Sequence, residues 1–254
     1  MKTIDFNYKS LKTKLILVTG ATSGIGKAVS KHLLKQGAKV IGIGRDITKI
    51  DESLKENKNF TLISFDLCEI NEIEDLLNNL VDKNAKFDGF VNCAGREETI
   101  PLNLYKLDKI KSLYNLNVFS SIELLRVFSK KKISNNFSSI VFISSVMGEL
   151  GMPGKVGYCS SKSAILGVVK SSSLELSKRR IRVNAVSPGI VLTPLTEKLF
   201  LKISDENISA IKDMHPLGFG KTEDVVPLIL FLLSAQSKWV TGQNIKVDGG
   251  YSVK

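Results

Sequence analysis

Short apolar runs alternate with longer stretches of helical period along almost the whole chain. The first run, 14–20, ends in glycine and reads as a strand buried on both faces. Further strands are expected at 39–44, 60–65, 86–91, 139–144, 181–187 and 243–247. Between them, helical patterns cover 27–35 (closed by Gly37), 70–81, 104–132, 156–178 and 222–234, the last with Thr222, Glu223 and Asp224 in its first turn. Residues 194–220 are irregular or weakly helical, the kind of segment that closes over a substrate. There is no internal repeat and no low-complexity linker. Strands that alternate with helices throughout predict α/β architecture: a single doubly wound parallel sheet of about seven strands with helices on both faces. One domain over 1–254, with a lid at about 194–220, accommodates the whole chain.

Composition narrows the function classes. With 43% hydrophobic and 24% charged residues the chain is an ordinary globule. Its longest apolar stretch, 225–233, falls short of the ~18 residues a membrane span needs and is interrupted by Pro227, so no membrane partner is expected. The first residues show no signal-peptide pattern. Cys68, Cys93 and Cys159 have no paired spacing, and His32 and His215 are the only histidines, so neither a metal site nor a disulfide framework is expected and the location reads as cytoplasmic. The net charge of +11 is densest at Lys130-Lys131-Lys132 and Lys178-Arg179-Arg180, without interleaved aromatics. It reads as solvated helix ends and long-range attraction of anionic ligands rather than a nucleic-acid groove.

Candidate chemistry lies at the strand ends. Gly20-x-x-x-Gly24-x-Gly26 joins the first strand to the first helix, where backbone amides can approach a pyrophosphate. The second strand ends at Gly44 and is followed by Arg45 instead of an acidic residue. An arginine there accommodates a ribose 2′-phosphate, which favours NADP(H) over NAD(H); a surface arginine, or one paired with Asp46, is the plain alternative. Asp66-Leu67 follows the third strand, as an acceptor for an adenine amino group or as a helix cap. Asn92-Cys93-Ala94-Gly95 follows the fourth, with small residues that a cofactor lying across the sheet, or a turn, requires. Tyr158 and Lys162 stand four apart on a helix and so share a face, with Ser145 delivered by the preceding strand. A phenol titrates near ~10, and a fixed cation beside it favours the phenolate. The serine could hold a carbonyl oxygen while the phenol protonates it. Asn115 and Asn117, inside a helical pattern, are either exposed and neutral or bend the helix and hold a water.

Taken in order, these motifs resemble the short-chain dehydrogenase/reductase family, of single-domain Rossmann type, from Lys14 to Tyr251. The likeness rests on Thr19-Gly20-x-x-x-Gly24-Ile25-Gly26, Asp66-Leu67, Asn92-Cys93-Ala94-Gly95, Asn117, Ser145 and Tyr158-x-x-x-Lys162. It continues through Pro188-Gly189 with Thr193, Thr241-Gly242-Gln243 and Val247-Asp248-Gly249-Gly250. The resemblance implies an NAD(P)-dependent oxidoreductase that interconverts a ketone and a secondary alcohol, reductive with NADPH and similar to 3-oxoacyl-[acyl-carrier-protein] reductases. In that picture Tyr158 is the general acid/base, Lys162 lowers its pKa and binds the nicotinamide ribose, Ser145 orients the substrate oxygen, and Asn117 bends its helix and holds a relay water. Gly20, Ser23, Gly24, Ile25 and Gly26 cradle the pyrophosphate, Arg45, Asp66, Leu67, Asn92, Ala94 and Gly95 serve the adenosine side, and Pro188, Gly189, Val191 and Thr193 serve the carboxamide. The chain departs from the family at Cys93, where a second asparagine is usual, and at Ser23, where NADP-preferring relatives often carry a basic residue. The implied substrate is a small-molecule carbonyl or alcohol, in the reductase subclass bound to a carrier protein. Arg179 falls at a docking position for such a carrier, while Asn136 replaces the other basic residue. The apolar lid residues Leu195, Leu199, Phe200, Leu201, Ile203, Met214 and Phe219 either line an acyl or steroid-like pocket or pack the lid helix onto the body. A sugar or polyol dehydrogenase using NAD, and a non-catalytic dinucleotide-binding scaffold, are the alternatives. The expected assembly is a homotetramer or homodimer.

Overall fold

The computed structural model describes residues 8–201 and 203–253; the expectation about a signal peptide in the first residues lies outside them. The strands are β1 (Leu15–Thr19), β2 (Lys39–Gly44), β3 (Phe60–Ser64), β4 (Phe87–Asn92), β5 (Ser134–Ile143), β6 (Arg182–Pro188) and β7 (Asn244–Val247). They form one parallel sheet in the order β3-β2-β1-β4-β5-β6-β7. Helices α1 (Gly24–Lys35), α2 (Glu52–Lys55), α3 (Ile73–Lys83), α4 (Leu107–Tyr114) and α5 (Ser120–Phe128) accompany the first half. Helices α6 (Val156–Glu175), α7 (Pro194–Phe200), α8 (Asp205–Asp213) and α9 (Thr222–Leu233) accompany the second.

Alternation along β1 shows how the two faces are filled. Leu15 and Leu17 enter one core layer with Leu77, Phe128, Ile165 and Val169 of α3, α5 and α6. Ile16 and Val18 enter the other with Val29 and Leu33 of α1 and Ile229 and Leu230 of α9. The apolar stretch at 225–233 is therefore core of the fold itself. No described helix is long and apolar enough to cross a membrane.

Four expectations are corrected. First, α1 begins at Gly24 and so takes two of the motif glycines into its first turn. Second, β5 starts earlier than its apolar run: the pairing jumps from Phe87 opposite Ser134 to Gly89 opposite Ser139, and Phe137 takes up the slack at φ +64, projecting into solvent. Third, the helical pattern at 104–132 is interrupted by a π-helical segment, Asn115–Phe119, that separates α4 from α5. Fourth, the segment at 194–220 holds two ordered helices, started by a capping box of Thr193 with Thr196 and by a Ser204 cap.

The amino-terminal end of the sheet is laced by charged side chains. Asp88 accepts from Leu15 N (3.0 Å) and from Asn135 Nδ2 (3.1 Å). Arg182 donates to Leu232 O and Ser237 Oγ (2.7 Å each) and to Ser234 O (3.0 Å), closing the carboxyl end of α9. Arg179 donates to Asn136 Oδ1 (3.0 Å), Ser134 O (2.6 Å) and Ser129 O. Arg179, the residue placed at a carrier-docking position, therefore also staples its own fold, its guanidinium meeting acceptors of three residues.

Candidate active site

The opposite end of the sheet opens into a cleft of about 920 Å³. Of the catalytic and cofactor-contacting residues that the resemblance implies, all line it except Asn92 and Asn117, which are buried behind its wall. A parallel sheet whose strand order reverses between β1 and β4 leaves this crevice at the carboxyl ends of its strands, where dinucleotides bind in such folds.

The glycine turn is built for close approach. Gly20 and Gly24 take φ of +66° and +50°. A Cβ on Gly26 would stand 2.3 Å from Gly20 O, so only glycine lets α1 meet the end of β1. Ser23 precedes α1 without capping it, and no acidic residue occupies the first turn, which leaves amide donors facing the cleft. The turn is held from behind. Thr19 Oγ1 donates to Asn92 Oδ1 (2.7 Å) and accepts from Ala94 N (3.1 Å), while Asn92 Nδ2 donates to Ser121 Oγ (2.6 Å). Asn92 therefore positions the wall and does not face the cleft. At the adenosine end Arg45 Nη1 lies 3.9 Å from Asp66 Oδ2, both well exposed, while Asp46 caps Thr48 and Asp66 also accepts from Cys68 N (3.0 Å). The cleft's size, its glycine floor and the uncapped helix end fit a nicotinamide dinucleotide.

The reactive cluster lies at the junction of β5 and α6. Ser145 Oγ accepts from Met147 N (3.2 Å), which leaves its own proton to be donated. Lys162, 7% exposed, donates to Ile143 O (2.9 Å), and its Nζ is 5.9 Å from the Tyr158 ring centroid. Asn117 is turned inward by the π segment: Oδ1 accepts from Arg96 N (3.0 Å), and Nδ2 donates to Arg96 O (2.9 Å) and Ser161 Oγ (3.1 Å). A Cβ on Gly95 would be 3.3 Å from Asn117 Oδ1 and 3.5 Å from Lys162 Nζ, so the bare backbone there lets the two side chains converge. On the carboxamide side Thr196 Oγ1 donates to Val191 O (2.8 Å), Gly189 N donates to Val247 O (3.1 Å), and Thr193 caps α7. Leu195, Leu199 and Ile203 line the cleft, whereas Phe200 packs on Phe219 at 5.2 Å and Leu201 is exposed. Three of the lid's apolar residues thus face the cleft, Phe200 packs within the lid, and Leu201 does neither.

Burial dominates the electrostatics. It pushes the Tyr158 phenol up to about 12; a hydrogen bond from Ser145 opposes this and the Glu97 carboxylate adds to it. Burial brings Lys162 down to about 8, with Cys93 acting in the other direction. The expected lowering of the phenol by Lys162 is thus not seen in the protein alone. The ammonium is turned to a backbone carbonyl and is itself made a weaker cation by desolvation. A stability effect follows. The unfolded chain holds the lysine proton up to about 10.5 and the folded chain only up to about 8, so stability rises with pH across that window; above pH 10 the phenol works in the opposite direction. Lys162→Met is expected to be more stable than the parent by ~1–2 kcal/mol at pH 7. The gap narrows toward pH 9.5, as thermal melts at the two pH values would show.

Sequence reasoning missed three lining residues near the phenol: Arg96, Glu97 and Lys155. Their signal was present as a charge run directly after Ala94-Gly95 and a lone lysine three residues before Tyr158.

A family profile described as Enoyl-(Acyl carrier protein) reductase matches residues 20–252. The chain is similar to the 3-oxoacyl-[acyl-carrier-protein] reductase FabG of Thermotoga maritima, 37% identical over 247 residues that cover 94% of this chain and 98% of that one. Among solved structures it is similar to a short chain dehydrogenase family protein from Francisella tularensis (TM-score 0.86, 33% identity, 95% and 100% of the two chains). It is also similar to ElxO with NADP bound (TM-score 0.85, 28% identity, 95% and 100%).

Proposed function

The chain belongs to the short-chain dehydrogenase/reductase family and is an oxidoreductase acting on CH–OH groups with NAD(P); from that premise we propose that it reduces a ketone to a secondary alcohol with NADPH. The observation that carries this reading is the convergence of Ser145, Tyr158 and Lys162 beside a glycine-floored cleft. In the proposed assignment residues 1–254 form a single binding and catalytic domain with a lid at about 194–220. Gly20, Ser23, Gly24, Ile25 and Gly26 would hold the pyrophosphate, and Pro188, Gly189, Val191 and Thr193 the carboxamide end. Bound NADPH supplies the hydride. Tyr158 donates its proton to the oxygen on which negative charge develops, and Ser145 donates a hydrogen bond to the same oxygen. Burial keeps the phenol protonated at neutral pH, the form a proton donor must have, and at the same time makes it a weaker acid than a free phenol. Lys162 and Asn117, brought together across Gly95, would return the proton to the phenol.

Preference for NADPH rests on Arg45, the cation beside the strand end where an acidic residue would select NADH. Asp66 faces the same guanidinium, so the phosphate gains only part of a charge-assisted contact. Arg45→Ala is expected to weaken NADPH about tenfold and leave NADH within about twofold. Fluorescence titration of both nucleotides, followed by NADPH oxidation with a panel of ketones, tests the reading; equal affinities in the parent would sink the phosphate assignment. Three free cysteines support a cytoplasmic location. Exposed Leu102 and Leu104 before α4, and Leu107 at its start, support a homodimer or homotetramer.

A further inference from the structure

Two charges that the mechanism does not use face the same cleft as the phenol. Lys155 is the residue before α6 and only 7% exposed; its Nζ pairs with Glu97 Oε1 and lies 5.9 Å from the Tyr158 ring centroid. Glu97 also accepts from Thr99 Oγ1 (2.8 Å), and its side chain is 14% exposed.

The position is a poor one for stability. A buried ion pair gains little over an apolar pair of the same size, since desolvation offsets the attraction. A cation at the start of a helix also opposes the helix dipole. Yet the surroundings hold the pair rigidly. Arg96, next to Glu97, is bonded through its backbone N and O to Asn117. Glu98, on the other side, accepts from Tyr105 Oη (3.0 Å) and lies 3.2 Å from Arg96 Nε. Tyr105 in turn packs where a Cβ on Gly157 would come within 2.3 Å of its hydroxyl. Ile100 N donates to Gly154 O (2.8 Å), which ties the same loop to the turn before α6.

We propose that Glu97 and Lys155 form the substrate-selecting wall of the site, matched to a ketone that carries a second oxygen close to the reacting carbonyl. The proposal rests on the ketone-reductase reading. An ammonium has three donors, and Glu97 takes up only part of that capacity. With the reacting carbonyl on Ser145 and Tyr158, a neighbouring oxygen of the substrate comes to Lys155, which stands on the same helix start. A purely aliphatic ketone would press hydrocarbon against the pair and leave it desolvated without compensation. Two sources supply such an oxygen: the acyl carbonyl of a 3-oxo thioester, which only accepts, and the hydroxyl of a hydroxyketone, which accepts from Lys155 and donates to Glu97.

The test uses the full chain with NADPH and three ketones: the N-acetylcysteamine thioester of 3-oxobutanoic acid, hydroxyacetone and 2-pentanone. The quantity read is the ratio of kcat/KM for each oxygen-bearing ketone to that for 2-pentanone. In the parent at least one ratio is high; in Lys155→Met it falls by ~10- to 100-fold, chiefly through KM, and Lys155→Arg restores part of it. The double variant Glu97→Gln/Lys155→Met removes both charges together and reads the same ratio should an unpaired Glu97 unfold the single one. Glu97→Gln separates the sources: it spares the thioester ratio and lowers the hydroxyacetone ratio. An unchanged ratio, or equal loss on all three ketones, overturns the proposal while the reductase reading stands. A parent that binds NADPH and reduces none of the three overturns the reductase reading, and this proposal with it.

Discussion

Tyr158→Phe is expected to lower kcat/KM for ketone reduction by ~10³-fold while leaving NADPH affinity within about twofold. Phenylalanine keeps the ring in its half-buried place beside Lys155 and Lys162 and removes only the hydroxyl that faces Ser145. What is lost is proton donation at the developing alkoxide, an effect confined to the transition state, so kcat falls and KM changes little. Steady-state kinetics with one good ketone, beside a nucleotide titration, measures both quantities. A loss below tenfold would remove Tyr158 from the acid role, and a parallel loss of nucleotide binding would mark it as structural.

Gly26→Ala carries the second large effect. The added Cβ would stand 2.3 Å from Gly20 O and 3.0 Å from Thr19 O. Both contacts are backbone, so no side chain can swing away; α1 must move off β1. Overpacking of this kind destabilises by ~1–3 kcal/mol, or roughly 2–10 °C of melting temperature in a chain this size. The same movement pulls the amide donors of α1 away from the cleft, so NADPH binding is expected to fall at least ~100-fold. Calorimetry and titration of the variant give the two numbers. A variant that melts low yet binds normally would show that the turn does not hold the nucleotide.

The sheet was legible because a strand buried on both faces is an apolar run bounded by glycine or a charge, as 14–20 and 39–44 are. The residues of the cleft were legible for a related reason: carboxyl ends of parallel strands converge, so Gly20, Ala94, Ser145 and Pro188 were placed together by topology alone. What stayed hidden depended on contacts distant in sequence. From the sequence, Asn115 and Asn117 only suggest a bend; the fold shows a π segment that turns the Asn117 side chain onto both backbone groups of Arg96, a contact distant in sequence. Arg179 looked like a free surface cation until the fold brought Ser129, Ser134 and Asn136 to it. The lid helices have weak periodicity because they rest on caps at Thr193 and Ser204 more than on an apolar stripe.

The lacing of the sheet's amino-terminal end by Asp88, Arg179 and Arg182 has a consequence for divergence. These polar anchors are separate from those at the other end, where the loop at 96–99 and the lid at 194–220 lie with their own bonds to Asn117, Lys155 and Val191. Substitutions that retune one end therefore act on few of the bonds that hold the other. A lineage of such chains is free to drift in what it accepts, singly at Leu195 or Leu199 and as a pair at Glu97 and Lys155, on a scaffold whose far end registers little of the change.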